Sequence, residues 1–125
     1  MLDLAGEWTL DVERGPDWLF IRLHGPENTQ AEPANLAESI WRLLDQQFTY
    51  RLVLELDDVP FMSSWFLGQL VMLHKRIQRH DGMLRLSGIS DGAFEAMRAC
   101  RLEHSFSRYD TREDAVMGHI PRKPR

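Results

Sequence analysis

Two adjacent hydroxyls, Ser63 and Ser64, are the residues best placed for chemistry in this chain. They follow Leu52-Val53-Leu54-Glu55-Leu56, which reads as a buried strand, and lead into an amphipathic run that continues to about Arg79. The order predicts both serines at a helix N-terminus. There the first N–H groups lack intrahelical partners and the helix dipole turns its positive end outward. A phosphate, bound or carried on a serine, is electrostatically favoured at such a place. The commoner arrangement is a plain N-cap, in which a serine oxygen accepts a backbone N–H.

Other reactive groupings are sparse. Asp57 and Asp58 close the strand before the serines, and hydrogen-bonded turn carboxylates explain such a pair better than a metal does. His24, His74, His80, His104 and His119 lack the spacing of a zinc site. A serine hydrolase needs a base near Ser63 or Ser64, which His24 or His104 could supply only through the fold, and the Gly-x-Ser-x-Gly elbow is missing. Neither a Gly-rich phosphate loop nor a P-loop lysine is present. The expectation is a protein that is not an enzyme, with no catalytic residue, metal or cofactor.

The serines must be held by the elements around them. Trp8 to Glu13 alternates apolar and polar residues, as does Trp18 to Leu23, and Gly15-Pro16-Asp17 is turn chemistry between them. These predict an antiparallel strand pair. Ala31 to about Phe48 has helical periodicity, with Leu36, Ile40, Leu43 and Leu44 near one face. In the helix after the serines, Phe66, Leu67, Leu70, Leu73 and Ile77 form an apolar arc. Trp65 and Met72 fall on the other side, which predicts substantial exposure for Trp65. Met83 to Ser87 reads as a strand, Asp91 as the cap of a helix through Cys100, and Ser105 to Tyr109 as an edge strand. Asp110-Thr111-Arg112-Glu113 resembles a capping box with Asp110 as N-cap. The order ββαβαβαβα predicts one α/β domain over residues 1–120, with a mixed sheet of about five strands and about four helices. Residues 121–125 read as a basic, loose tail.

The totals agree with one domain. The chain has 125 residues, 43% hydrophobic and 27% charged, with a formal net charge of -4. An acidic balance argues against broad nucleic-acid binding. Cys100 is the single cysteine, so an internal disulfide is excluded. No apolar run approaches the ~20 residues of a membrane-spanning helix. The first residues lack the pattern of a signal peptide. The expected setting is cytoplasmic, away from membrane and nucleic acid.

Val59-Pro60-Phe61-Met62-Ser63-Ser64-Trp65-Phe66-Leu67-Gly68 resembles the central segment of STAS domains, particularly bacterial anti-sigma-factor antagonists, where the pattern is roughly Phe-Met-Asp-Ser-Ser-Gly-Leu-Gly. Gly82 to Ser90 and Phe106 to Ala115 resemble the closing strand–helix–strand–helix of the same family. The resemblance implies a regulatory module that binds a serine-kinase-type anti-sigma factor or a related signalling protein. In such antagonists the kinase phosphorylates the first serine after the aspartate, and the matching position is Ser64. Ser63 stands at the aspartate position and is the alternative acceptor. Trp65 replaces the second serine and Phe66 the glycine. Near the end of the second strand the family often has Gly-Glu-Leu-Asp, whose aspartate position is taken here by Asn28.

The expected partner surface is the Ser63–Met72 face, comprising Ser63, Ser64, Trp65, Gln69 and Met72, with Asn28 beside it. The alternative is an unphosphorylated STAS scaffold or a domain for a nucleotide or apolar ligand, forming a homodimer through Trp65.

Overall fold

Leu19, Ile21 and Leu23 alternate with Phe20, Arg22 and His24, and only the first set is fully buried. This two-residue period gives the central sheet one apolar face and one largely polar face. The computed structural model describes residues 2–3, 8–25, 35–59, 62–102 and 104–118. Asn28 and residues 119–125 lie outside them.

The elements run β1 (Leu2–Asp3), β2 (Thr9–Arg14), β3 (Leu19–His24), α1 (Leu36–Gln46), β4 (Arg51–Asp58), α2 (Ser64–Arg79), β5 (Met83–Ser87), α3 (Asp91–Ala99), β6 (Arg108–Tyr109) and α4 (Arg112–Met117). The five expected strands and four helices are all present in the expected order. The two-residue β1 adds a sixth strand, pairing Leu2 with Leu10.

Strand order across the sheet equals sequence order, β1-β2-β3-β4-β5-β6. β1, β2 and β3 pair antiparallel, and β3 through β6 pair parallel. Each parallel step needs a crossover, and right-handed crossovers advancing in one direction keep their helices on the same face. Accordingly α1, α2 and α3 share one core with Leu10, Ile21, Leu54 and Leu86. Among the described residues, the helix on the other face is α4, which packs on β4, β5 and β6 over a small cluster of Trp18, Val53, Tyr109 and Ala115.

Four boundaries depart from expectation. α1 begins at Leu36, after Asn35, rather than at Ala31. The cap of α3 is Ser90, whose Oγ accepts from Ala93 N–H at 3.1 Å, and Asp91 becomes the first helical residue. The cap of α4 is Thr111, whose Oγ1 accepts from Asp114 N–H at 3.1 Å, so the capping box on Asp110 does not form. The last strand is only Arg108–Tyr109, because Phe106 turns into the core against His74, with ring centroids 4.9 Å apart.

That contact makes stability depend on pH. Burial holds the His74 pKa below its ordinary 6.5, since the charged ring loses solvent. The neutral ring's contribution is complete above the unfolded value and is lost as pH falls through the lowered folded value. In urea unfolding, the wild type should lose stability from about pH 7 to pH 5 relative to His74→Gln. Parallel pH profiles for the two proteins would refute the assignment.

Candidate functional site

Val59 after β4 and Met62 before α2 are both buried. Ser63 then takes an extended conformation, and its Oγ accepts from Phe66 N–H at 3.1 Å. Ser63 is therefore the N-cap. Ser64 is the first helical residue, is exposed, and has no side-chain hydrogen bond among the described residues. One serine holds the helix end, and the other presents a hydroxyl to solvent at the positive end of a 16-residue helix.

Helical spacing extends this surface. Ser64, Gly68 and Met72 are four residues apart on one stripe, and all three are exposed. Among the described residues, nothing beyond the adjoining helix backbone lies within 4 Å of where a Gly68 side chain would begin. Met72 is 59% exposed. The stripe is thus a shallow shelf with a hydroxyl at one end and a flexible apolar side chain at the other.

Trp65 differs from the sequence expectation. It is half-buried, not substantially exposed, and it packs at the border of the core. Its ring centroid lies 6.1 Å from Trp8 and 6.5 Å from Phe66. Trp8 stacks on Phe66 at 5.3 Å with an 8° interplanar angle. The cause is the antiparallel run of β2, whose first residue, Thr9, pairs with His24, the last residue of β3. Trp8 therefore arrives at the same end of the sheet as the start of α2.

Gln69 also has internal duties. Its Oε1 accepts from Ala37 N–H at 2.9 Å, satisfying one of the free donors at the start of α1. Its Nε2 lies 4.0 Å from Met72 Sδ. Of the six positions expected to contact a partner, Ser64, one side of Trp65 and Met72 present surface. Ser63 and Gln69 are committed to helix ends, and Asn28 is outside the described residues.

A second polar centre lies on the α4 face, and the sequence does not announce it. Glu55 is 4% exposed, in the middle of a strand. A buried carboxylate requires compensation, and Arg112 supplies it from 57 residues away, donating Nη2 to Oε1 at 2.6 Å and Nε to Oε2 at 3.3 Å. Arg22 Nη2 adds a 3.4 Å bond, and Arg112 also donates to Glu13. Glu55 above all, and Glu13 after it, raise the Arg112 pKa against the opposing effect of burial.

Asp57 and Asp58 are the last two residues of β4 rather than turn residues. His24 lies between Asp58 and Asp11, with Nδ1 3.1 Å from Asp58 Oδ2 and Nε2 2.8 Å from Asp11 Oδ2. The hydrogen bond from His24 holds the Asp11 carboxyl below its usual range. His80 stacks with Tyr50 and lies 4.6 Å from the Trp41 ring. No group of three or more His, Cys, Asp or Glu side chains is arranged to hold a metal ion among the described residues. No helix there is long and apolar enough to cross a membrane.

Comparison with known proteins bears on the fold. A family model of the STAS domain matches residues 9–115. No curated protein matches the chain in sequence. An anti-sigma factor antagonist from Mycobacterium paratuberculosis is 21% identical with a TM-score of 0.72, over 89% of this chain and 92% of its own. A Thermotoga maritima protein solved by NMR is 17% identical with a TM-score of 0.75, over 87% of this chain and 86% of its own. The Bacillus cell fate determinant SpoIIAA, in its phosphorylated form, is 17% identical with a TM-score of 0.63, over 88% of this chain and 98% of its own. At these identities the likeness is one of fold.

Proposed function

The chain belongs to the STAS domain family, and from that premise we propose that it is a non-enzymatic regulatory module that binds another signalling protein through the start of α2. The observation that carries the reading is the exposed stripe of Ser64, Gly68 and Met72, flanked by half-buried Trp65. A hydroxyl free at a helix N-terminus, next to an uncovered apolar shelf, suits a protein partner whose contact can be altered by charge. The partner class is a serine-kinase-type anti-sigma factor or a related signalling protein. Two similar folds support this: one protein is described as an anti-sigma factor antagonist, and another was solved in a phosphorylated form.

Ser64 is the proposed phospho-acceptor. Its hydroxyl is accessible, whereas phosphorylating Ser63 would first have to release the cap on Phe66 N–H. Replacing Ser63 by Ala should accordingly destabilise the domain by about 1 kcal/mol, the usual loss on removing a capping serine.

The test compares two exposed apolar residues, one in the middle of α2 and one just before the start of β4. Met72 lies on the proposed surface, and Phe48, 84% exposed, precedes the start of β4. A partner is first recovered from native extract, identified by mass spectrometry and purified. Met72→Lys should then weaken its binding at least about tenfold by placing a charge at the interface. Phe48→Ser should leave binding unchanged. Loss on Phe48→Ser, with Met72→Lys binding normally, would move the interface to the surface around Phe48.

A further inference from the structure

The α4 face of the sheet contains a cavity of about 350 Å³ that the proposed partner surface does not use. Its size lies within the ~300–1,000 Å³ span of small-molecule sites. It opens at the carboxyl ends of β4 and β5, beside the turn into α4. Parallel sheets commonly hold ligands at that end of their strands.

The lining carries an excess of negative charge. Glu55, Asp57, Asp110 and Glu113 contribute four carboxylates against the guanidiniums of Arg22 and Arg112. Both cations are already engaged. Arg112 is held by Glu55 and Glu13, and Arg22 lies 3.4 Å from Glu55, 3.8 Å from Asp57 and 3.7 Å from Asp58. Asp110 and Glu113 are exposed and have no ion pair among the described residues.

A separate observation points inward. Ser87 lines the same cavity and is 1% exposed, yet its Oγ has no hydrogen-bond partner among the described residues. Buried hydroxyls are nearly always paired, so one left unpaired in the wall of a cavity calls for an occupant. Next to it, Gly88 has φ +72°, and any side chain there would run into the Asp57 carboxylate. The glycine lets that carboxylate close over the backbone at the cavity wall.

The geometry points to a site for a small organic cation, a polyamine or a guanidino compound. Its N–H groups would donate to Ser87 Oγ and Asp57, and Asp110 and Glu113 would balance its charge. A nucleotide or free phosphate meets the opposite field, because neither arginine is free to receive it.

Spermidine and agmatine are the probes, titrated calorimetrically into the full chain at low salt. Each should saturate at one site. Asp57→Asn should weaken binding about tenfold and Ser87→Ala about threefold, as expected for a charged and a neutral hydrogen bond. Asp110→Asn combined with Glu113→Gln should also weaken it about tenfold. A remote pair with the same change in charge, Asp81→Asn with Glu95→Gln, should leave affinity unaltered. Thermal unfolding confirms that each variant is folded. Equal weakening by the remote pair would reduce the effect to net charge and overturn the site. Absence of saturable cation binding, or saturable binding of inorganic phosphate instead, would overturn it as well.

Discussion

Phe66→Ala should destabilise the domain by about 4 kcal/mol, whereas Trp65→Ala should cost about half as much, although tryptophan is the larger side chain. Phe66 is 1% exposed and stacks nearly parallel to Trp8. Its removal leaves a cavity that Trp8, itself buried, must either tolerate or collapse into. Trp65 keeps part of its surface in water, and its contacts with Trp8 and Phe66 are tilted rather than stacked. Less area returns to solvent when it is truncated, and a void at the border of the core fills more easily. Urea unfolding of the two variants measures both losses. If Trp65→Ala proved as costly as Phe66→Ala, Trp65 would be a core residue, and its role at the proposed interface would lapse.

These two residues also show how far the sequence could be read. The 3.6-residue period correctly placed Phe66, Leu70, Leu73 and Ile77 on the buried arc of α2. The period describes a helix in isolation, however, and Trp65 is covered from outside the helix by Trp8. A signal for that was available. Trp8 continues the alternation that buries Leu10, and an antiparallel β2 must bring its first residues to the carboxyl end of β3. Combining strand pattern with strand direction would have placed the two tryptophans together.

The starts of α2, α3 and α4 were legible to within one residue, for a local reason, whereas α1 begins at Leu36 rather than Ala31. In Ser90-Asp91 and Asp110-Thr111, two good capping residues stand side by side. In both, the hydroxyl residue takes the cap. The Ser63-Ser64 pair poses the same choice, and there the first residue is the cap. That assignment is what frees the second hydroxyl. The Glu55 network was harder to see. A glutamate inside an apolar strand signals that a cation must come from somewhere, but nothing near it in sequence names Arg112, 57 residues on. The pairing arises only once monotonic strand order leaves the second face of the sheet open to α4.

The other large effect is expected at Ser64. Phosphorylation adds about -1.5 to -2 charges at the first position of α2. The helix itself tolerates this, because a negative group at its positive end is favourable by ~0.3–1 kcal/mol. A partner lying on Gly68 and Met72 would instead strip water from the new charge without pairing it, at a cost of several kcal/mol, roughly 3 or more. The second effect exceeds the first, so folding persists while association fails. Ser64→Ala removes a hydroxyl that has no hydrogen bond among the described residues, and it adds no charge. It should bind within about threefold of wild type.

The most direct test is a titration of wild type, Ser64→Ala and Ser64→Asp against the purified partner, with circular dichroism of each protein alongside. Binding at least about 100-fold weaker for a fully folded Ser64→Asp, with Ser64→Ala close to wild type, is the expected result. A folded Ser64→Asp that binds as tightly as wild type would contradict control by charge at the start of α2 and leave a constitutive scaffold in its place.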